Sequence, residues 1–412
     1  MNLENLKNNL ILLNRHNFGD NFFLGLSSSS ENSINKKEEK TSFFKKNHRF
    51  SANEDPLYKS ELTKYKHDIE LIKQSGILNF RFSLSWSRII PGGIGEINTE
   101  AIDFYNSILD ICIENGVEPF VTLHDSFLPT ALNKNGGWSN RESLIWFENY
   151  VDICVHAFKE KVTHWIVLNE PSVFTGASGL LDIYPSGKNK INIFLSVLHH
   201  TLLSQSIGFK KIKQIVNTAQ VGTFFSCNYS IPMTYSEKDL IAAERIDAFL
   251  NRIFIEPLLG LGYPIKTLPF LKSISKYSIV GDDDLIKVDF DFIGLQNCTR
   301  EVVCHNPFIP YFNAKILDYD YLRVKKNHLS LENYHELMSH IIKKYSKYEG
   351  VKKIFINENI ASLYHQNDTN TAIAIKSAYT IETFLQLILI ANQSGGKVNG
   401  YFVSPSEEMH IQ

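Results

Sequence analysis

Two apolar periods alternate along this chain, and few folds accommodate both. Short runs rich in β-branched and aromatic residues occur at Phe22 to Ser27, Leu78 to Ser83, Pro119 to His124, His164 to Asn169, Gln220 to Phe225, Phe290 to Gln296, Lys353 to Asn357 and Val398 to Val403. Between them lie longer stretches with apolar residues three and four apart, such as Leu57 to Ser75, Thr99 to Asn115, Arg141 to Phe158 and Leu331 to Tyr348. A strand followed by a helix, repeated, builds a parallel sheet, and about eight such units close into a barrel. The expected fold is therefore α/β, a single-domain (β/α)8 TIM barrel over residues 21–412. Before it, Leu3, Leu6, Leu10 and Leu13 form one apolar stripe. That spacing predicts a helix over residues 2–14, within an N-terminal helical extension over 1–20, packed in the seam between the last and first strands. Ser27 to Pro56, rich in Ser, Lys, Glu and Asn, follows neither period and reads as one long loop.

Composition removes several classes of function. With 43% hydrophobic residues in 412, the chain can bury a large core. Lys+Arg 42 against Asp+Glu 44 leaves a net charge of -2, so neither nucleic acid nor an anionic membrane is the expected partner. A small carbohydrate or glycoside fits better, and no oligomeric state is specified. The five cysteines, Cys112, Cys154, Cys227, Cys298 and Cys304, have neither C-x-x-C spacing nor the density of a disulfide framework. His and Asp are not in metal-ligand spacing. The apolar run Leu10 to Leu13 is too short for a signal segment or a membrane span. We therefore expect a cytoplasmic protein without metal or cofactor.

In a parallel barrel the reacting groups sit at the C-terminal ends of strands. Two glutamates fall there: Glu170, after WIVLNEP begins its turn, and Glu358, at the end of KIFINEN. Breaking a glycosidic bond with retention needs two carboxyl groups roughly 5 to 5.5 Å apart, one protonated to assist departure and one ionised to attack. A solvated strand-end glutamate explains either residue taken alone. Pro171 fixes the turn where Glu170 would have to be held.

At these residues the sequence resembles the family-one glycoside hydrolases, typified by β-glucosidases. The resemblance runs from about Phe22 to Val403 and is carried by FRFSLSWSRIIPGG (Phe80 to Gly93), EPFVTLHDSFLP (Glu118 to Pro129), NGGWSNRE (Asn135 to Glu142), HWIVLNEP (His164 to Pro171), IDAFLNRIFIEPLLGLGYP (Ile246 to Pro264), DFIGLQN (Asp291 to Asn297), INEN (Ile356 to Asn359) and GYFV (Gly400 to Val403). It implies that Glu170 is the acid/base, Glu358 the nucleophile and Asn169 the residue that binds the sugar 2-hydroxyl. Arg81 matches the arginine beside the nucleophile. His199 and His200 match a structural pair, and His164 reads as barrel packing.

The chain departs from the family pattern around these positions. Where the third strand of the family ends in His and Trp, Asp125 and Ser126 stand, and the glutamine expected after the first strand falls on Asn32. Strand alternation is expected to turn His124 out of the site. After the sixth strand, Gln296, Asn297 and Cys298 replace Asn-Tyr-Tyr, and Asn357, Glu358, Asn359 and Ile360 replace Thr-Glu-Asn-Gly. Ser404 to Glu408 take the place of a tryptophan-rich loop, and the family's last helix is expected to be missing. These replacements concern the sugar-binding residues, while the chemical pair persists. The expected function is a retaining β-glycoside hydrolase or transglycosidase, with Asp125, Asn32 and Asn297 among its supporting residues. The alternative is a catalytically impaired carbohydrate-binding barrel.

Overall fold

The computed structural model describes residues 18–19, 22–28, 56–125, 127–176, 188–317, 331–359 and 370–404. The helix expected over 2–14, most of the loop after the first strand, Asn32, Ser126 and residues 405–412 lie outside these residues.

Eight parallel strands form a closed ring. They are β1 (Phe23–Ser27), β2 (Asn79–Ser83), β3 (Glu118–His124), β4 (His164–Asn169), β5 (Gln220–Pro232), β6 (Phe292–His305), β8 (Ile354–Asn359) and β9 (Val398–Ser404). The sheet runs β5-β4-β3-β2-β1-β9-β8-β6, and pairing of β5 with β6 closes it. The barrel expected from sequence is thus the fold observed, with strand limits shifted by a residue or two at most starts. Two strands differ more. β5 and β6 continue past the barrel as a paired ribbon, through Asn228↔Thr299 to Pro232↔Val303. A short strand, β7 (Ala314–Ile316), adds to it antiparallel through Val303↔Ile316.

Alternation along each strand divides the core in two. Phe120, Ile166, Phe224, Phe292, Phe355 and Phe402 point into the barrel and fill it, with Phe23 packed against them. Their neighbours Val121, Trp165, Leu295, Ile356 and Tyr401 belong to the outer core shared with the helices. Large rings inside a narrow barrel require small residues opposite. A Cβ on Gly294 would lie 2.2 Å from the Phe224 ring, and one on Gly25 2.4 Å from Phe402.

The helices that bear on the site are α1 (Pro56–Gln74), α2 (Thr99–Glu114), α3 (Ser143–Phe158), α4 (Lys188–Ile215), α5 (Glu237–Asp247), α6 (Leu331–Ser346) and α7 (Asn370–Gln393). α2 shows the local logic. Asn98 caps it by accepting from the backbone N–H groups of Glu100 and Ala101, and its buried face carries Phe104, Ile108 and Cys112 at four-residue spacing.

Several residues of the family-like motifs bind the scaffold together rather than line the mouth. Arg141, just before α3, makes a two-pronged contact with Asp282 at 2.9 and 2.6 Å. His199 on α4 bridges the same carboxylate (2.9 Å) and the Tyr263 hydroxyl (2.9 Å). Burial alone would raise the Asp282 pKa, but hydrogen bonds from Arg141, the Ile279 N–H and His199 hold it at about 2. His200 contacts the Trp138 carbonyl at 3.0 Å, and burial pushes its imidazole down to about 4. His164 stacks on Phe120 with centroids 4.2 Å apart inside the barrel. These histidines occupy structural positions, as their sequence context implied.

Candidate active site

The next inward side chains above the phenylalanine layer are polar. Arg81 of β2, 3% exposed, lies with its guanidinium 3.9 Å over the Phe224 ring. Its Nε donates to Thr122 Oγ1 (3.3 Å), Nη1 to Gln296 Oε1 (2.9 Å) and Nη2 to Asn169 Oδ1. One fork therefore fixes groups from β3, β4 and β6. Burial lowers the Arg81 pKa to about 10, opposed by the negative charges of Asp125 and Glu170, so the group keeps its charge.

Hydrogen bonds extend this layer in both directions. Asn169 Nδ2 donates to Asp125 Oδ1 at 2.8 Å, and Ser83 Oγ donates to Asp125 Oδ2 at 3.1 Å. On the other side Asn357 Nδ2 lies 3.4 Å from Gln296 Oε1 and 3.3 Å from Ser404 Oγ, and Ser404 meets Ser27 at 2.5 Å. The chain of contacts runs from β3 to β1 around the rim.

Glu170 and Glu358 stand on this rim. Glu170 follows β4 in a left-handed conformation, φ 49° and ψ 60°, uncommon for a residue with a Cβ. Its N–H donates to the Phe224 carbonyl (2.9 Å), and Pro171 starts a short helix over Pro171–Phe174 whose Val173 N–H returns to the Glu170 carbonyl (2.9 Å). Those bonds and the proline hold the unusual turn. Glu170 Oε1 accepts from Ser226 Oγ at 2.5 Å and from Asn297 Nδ2 at 2.5 Å. Glu358, in β8 beside Val403 of β9, is 5% exposed. Cys298 lies near both carboxylates: a hydrogen bond with Cys227, burial, and the charges of Glu358 and Glu170 all push its thiol well above the usual range. Such a thiol is protonated and unreactive at neutral pH.

The structure thus joins Arg81, Asn169 and Asp125 in one bonded network and Glu170 with Asn297 and Ser226 in a second, the charge of Glu170 acting on Arg81 between them, with Glu358 on the end of β8. Arg81 donates to Asn169, Gln296 and Thr122, and Gln296 also meets Asn357, the residue before Glu358. Asp125 faces the site and His124 does not, as expected, although alternation is not the reason. Thr122 bonds Arg81 and Phe120 lies inside the barrel, so strict alternation would have carried His124 inward. Instead β3 ends at His124, which packs against Trp86, Trp138 and Phe174. Burial there pushes its imidazole down to about 4 despite the nearby Asp125.

Sequence reasoning missed Ser226 as a member of the site, and it treated Gln296 only as a departure from pattern. A serine at the end of a strand carries no signal of its own; only its contact with Glu170 reveals it. Among the described residues no group of three or more His, Cys, Asp or Glu is placed to hold a metal ion, and no helix is long and apolar enough to cross a membrane.

A (β/α)8 barrel with two strand-end glutamates and an internally bonded arginine at one mouth has the architecture of a glycoside-cleaving enzyme. The model for glycosyl hydrolase family 1 matches residues 36–406. The 6-phospho-β-glucosidase GmuD of Bacillus subtilis is 32% identical over 374 residues, covering 87% of this chain and 80% of the relative. The 1,4-β-D-glucan glucohydrolase of Thermotoga neapolitana is 29% identical over 342 residues, covering 82% and 80%. Among solved structures, the family 1 β-glucosidase from Thermotoga maritima superposes with a TM-score of 0.76 at 26% identity, covering 94% of this chain and 88% of that one. The chain belongs to glycosyl hydrolase family 1, and is an O-glycosyl hydrolase of the β-glucosidase type.

Proposed function

We propose that this chain cleaves β-linked glycosides with retention, or transfers the sugar to an acceptor, using Glu170 as acid/base and Glu358 as nucleophile. The observation that carries this reading is the bonded layer Asp125, Asn169, Arg81, Gln296 and Asn357, which links the ends of the strands bearing the two glutamates. Asn169 has its carbonyl turned to Arg81 and one N–H to Asp125, so its second N–H is the group that can meet a sugar hydroxyl. Glu358, nearly excluded from water, attacks the anomeric carbon as the bond to the leaving oxygen breaks. The Glu170 proton goes to that oxygen. Water then attacks the same carbon, giving its proton to Glu170 and releasing Glu358.

Two substitutions test the roles. Glu358→Gln is expected to abolish turnover of every substrate. Glu170→Gln is expected to spare activated aryl glycosides far more than unactivated ones, because a good leaving group departs without a proton. Equal losses on both substrate types in Glu170→Gln contradict the assignment.

A further inference from the structure

Among the described residues, Glu170 receives two side-chain bonds, both on one oxygen. Ser226 Oγ and Asn297 Nδ2 each lie 2.5 Å from Oε1. The two donors come from neighbouring strands, at the point where the β5–β6 register breaks between Ser226 and Asn228. Such a break re-aims side chains, and it does so here beside the carboxyl. Asn297 itself has φ 48°, a left-handed backbone at a residue with a Cβ, like the Glu170 it contacts. A backbone conformation of this kind persists where its surroundings impose it, commonly at functional sites.

A protonated carboxyl group is not symmetric. Its carbonyl oxygen accepts well, while its hydroxyl oxygen serves chiefly as the donor. Two donors on Oε1 therefore favour the form in which Oε1 is the carbonyl and the proton sits on Oε2. We propose that Ser226 and Asn297 are positioning residues that keep the transferable proton of Glu170 on Oε2 and fix the direction in which that oxygen points. In the first half-reaction the glycosidic C–O bond breaks, its electron pair passes to the leaving oxygen, and that oxygen takes the proton from Oε2. The new charge on Glu170 is held by the same two donors. In the second half-reaction water gives its proton to Oε2 as its oxygen bonds to the anomeric carbon and Glu358 departs. This inference rests on the acid/base assignment made above.

The test is the dependence of kcat/KM on leaving-group acidity, measured with a series of aryl β-glucosides for the unaltered protein, Ser226→Ala, Asn297→Ala and the double variant. Loss of proton positioning penalises poor leaving groups most. The double variant is expected to show a steeper slope, with a further loss on the poorest leaving groups on the order of 10- to 100-fold, and Ser226→Thr is expected to recover most of what Ser226→Ala loses. Parallel plots, displaced equally at all leaving groups, overturn the proposal, because general disturbance of the fold has that effect. Labelling of Glu358 by a 2-deoxy-2-fluoro glycoside separates the two levels of the account. If the unaltered protein labels and the plots are parallel, only the positioning role falls. If it never labels, the acid/base reading falls and takes this inference with it.

Discussion

Asn169 donates to Asp125 at 2.8 Å while its carbonyl oxygen accepts from Arg81, so one amide is held between a cation and an anion. Both ends of the amide are specified, and it cannot turn over without putting like groups together. The side chain proposed to read a sugar hydroxyl is therefore set by its protein partners alone.

Removing the anion tests that arrangement. Asp125→Ala leaves the Asn169 amide without its acceptor and Ser83 without its own, and is expected to lower kcat/KM for aryl glycosides by roughly 10-fold or more. Melting temperature should change little, because Asp125 is only half-buried. A large fall in melting temperature with kcat/KM unchanged contradicts the role.

Arg81 is expected to tolerate no replacement. Lysine keeps the charge but cannot serve Thr122, Gln296 and Asn169 from one planar fork. Arg81→Lys should reduce kcat/KM on the order of 100-fold and destabilise by about 2 to 4 kcal/mol, since buried acceptors lose their donors. Chemical denaturation and steady-state kinetics measure the two effects on the same preparation.

Support for Arg81 continues downward into the barrel. Because a Cβ on Gly294 would meet the Phe224 ring at 2.2 Å, Gly294→Ala must displace the ring on which the guanidinium lies. We expect a loss of about 1 to 3 kcal/mol together with reduced activity. A second substitution, Phe224→Leu, should return part of the stability but not the activity. Additive losses in this double-mutant cycle would show that the glycine and the ring act independently.

Stability should fall on mild acidification. His124 and His200 are buried, and both imidazoles are pushed down to about 4, first of all by burial. The unfolded chain protonates them near the usual value of about 6.5. Between about pH 6.5 and 4 unfolding therefore takes up protons, and the stabilisation present above that window is lost as pH falls through it. Each group contributes about 3 kcal/mol over the full interval. Denaturation midpoints at pH 7 and pH 5 measure the trend, and His124→Phe should reduce the difference between them. An unchanged difference in the variant contradicts the assignment to His124.

Much of this architecture is legible in the sequence, for identifiable reasons. A strand run such as HWIVLN carries apolar residues on both faces because one face fills the barrel and the other meets helices, whereas FRFS keeps Phe80 and Phe82 on the helix side and turns Arg81 and Ser83 inward. The extensions of β5 and β6 were not legible: beyond the barrel they pass through Cys227 to Ser230 and Asn297 to Glu301, polar stretches that gain strand pairing only from each other. The three-residue β7 has too little pattern to detect. Glu170, Glu358 and Asn169 stood out in the sequence because a strand-end position and a motif coincide in each, and Arg81, in the middle of β2, by its motif alone. Ser226 did not, since its partner is 56 residues away and serine has no chemistry that marks it in advance.

The central claim is that Glu358 forms the bond to sugar and Glu170 supplies the proton. Intact-protein mass spectrometry after incubation with 2-deoxy-2-fluoro glycosides bearing good leaving groups tests it most directly, because the fluorine slows release of the covalent intermediate and lets it accumulate. The account predicts a single adduct that peptide mapping places on Glu358, absent in Glu358→Gln and still formed in Glu170→Gln. An adduct on another residue would contradict the assignment of Glu358, and none across a panel of sugars would contradict the cleavage itself and leave a barrel that binds carbohydrate without cleaving it.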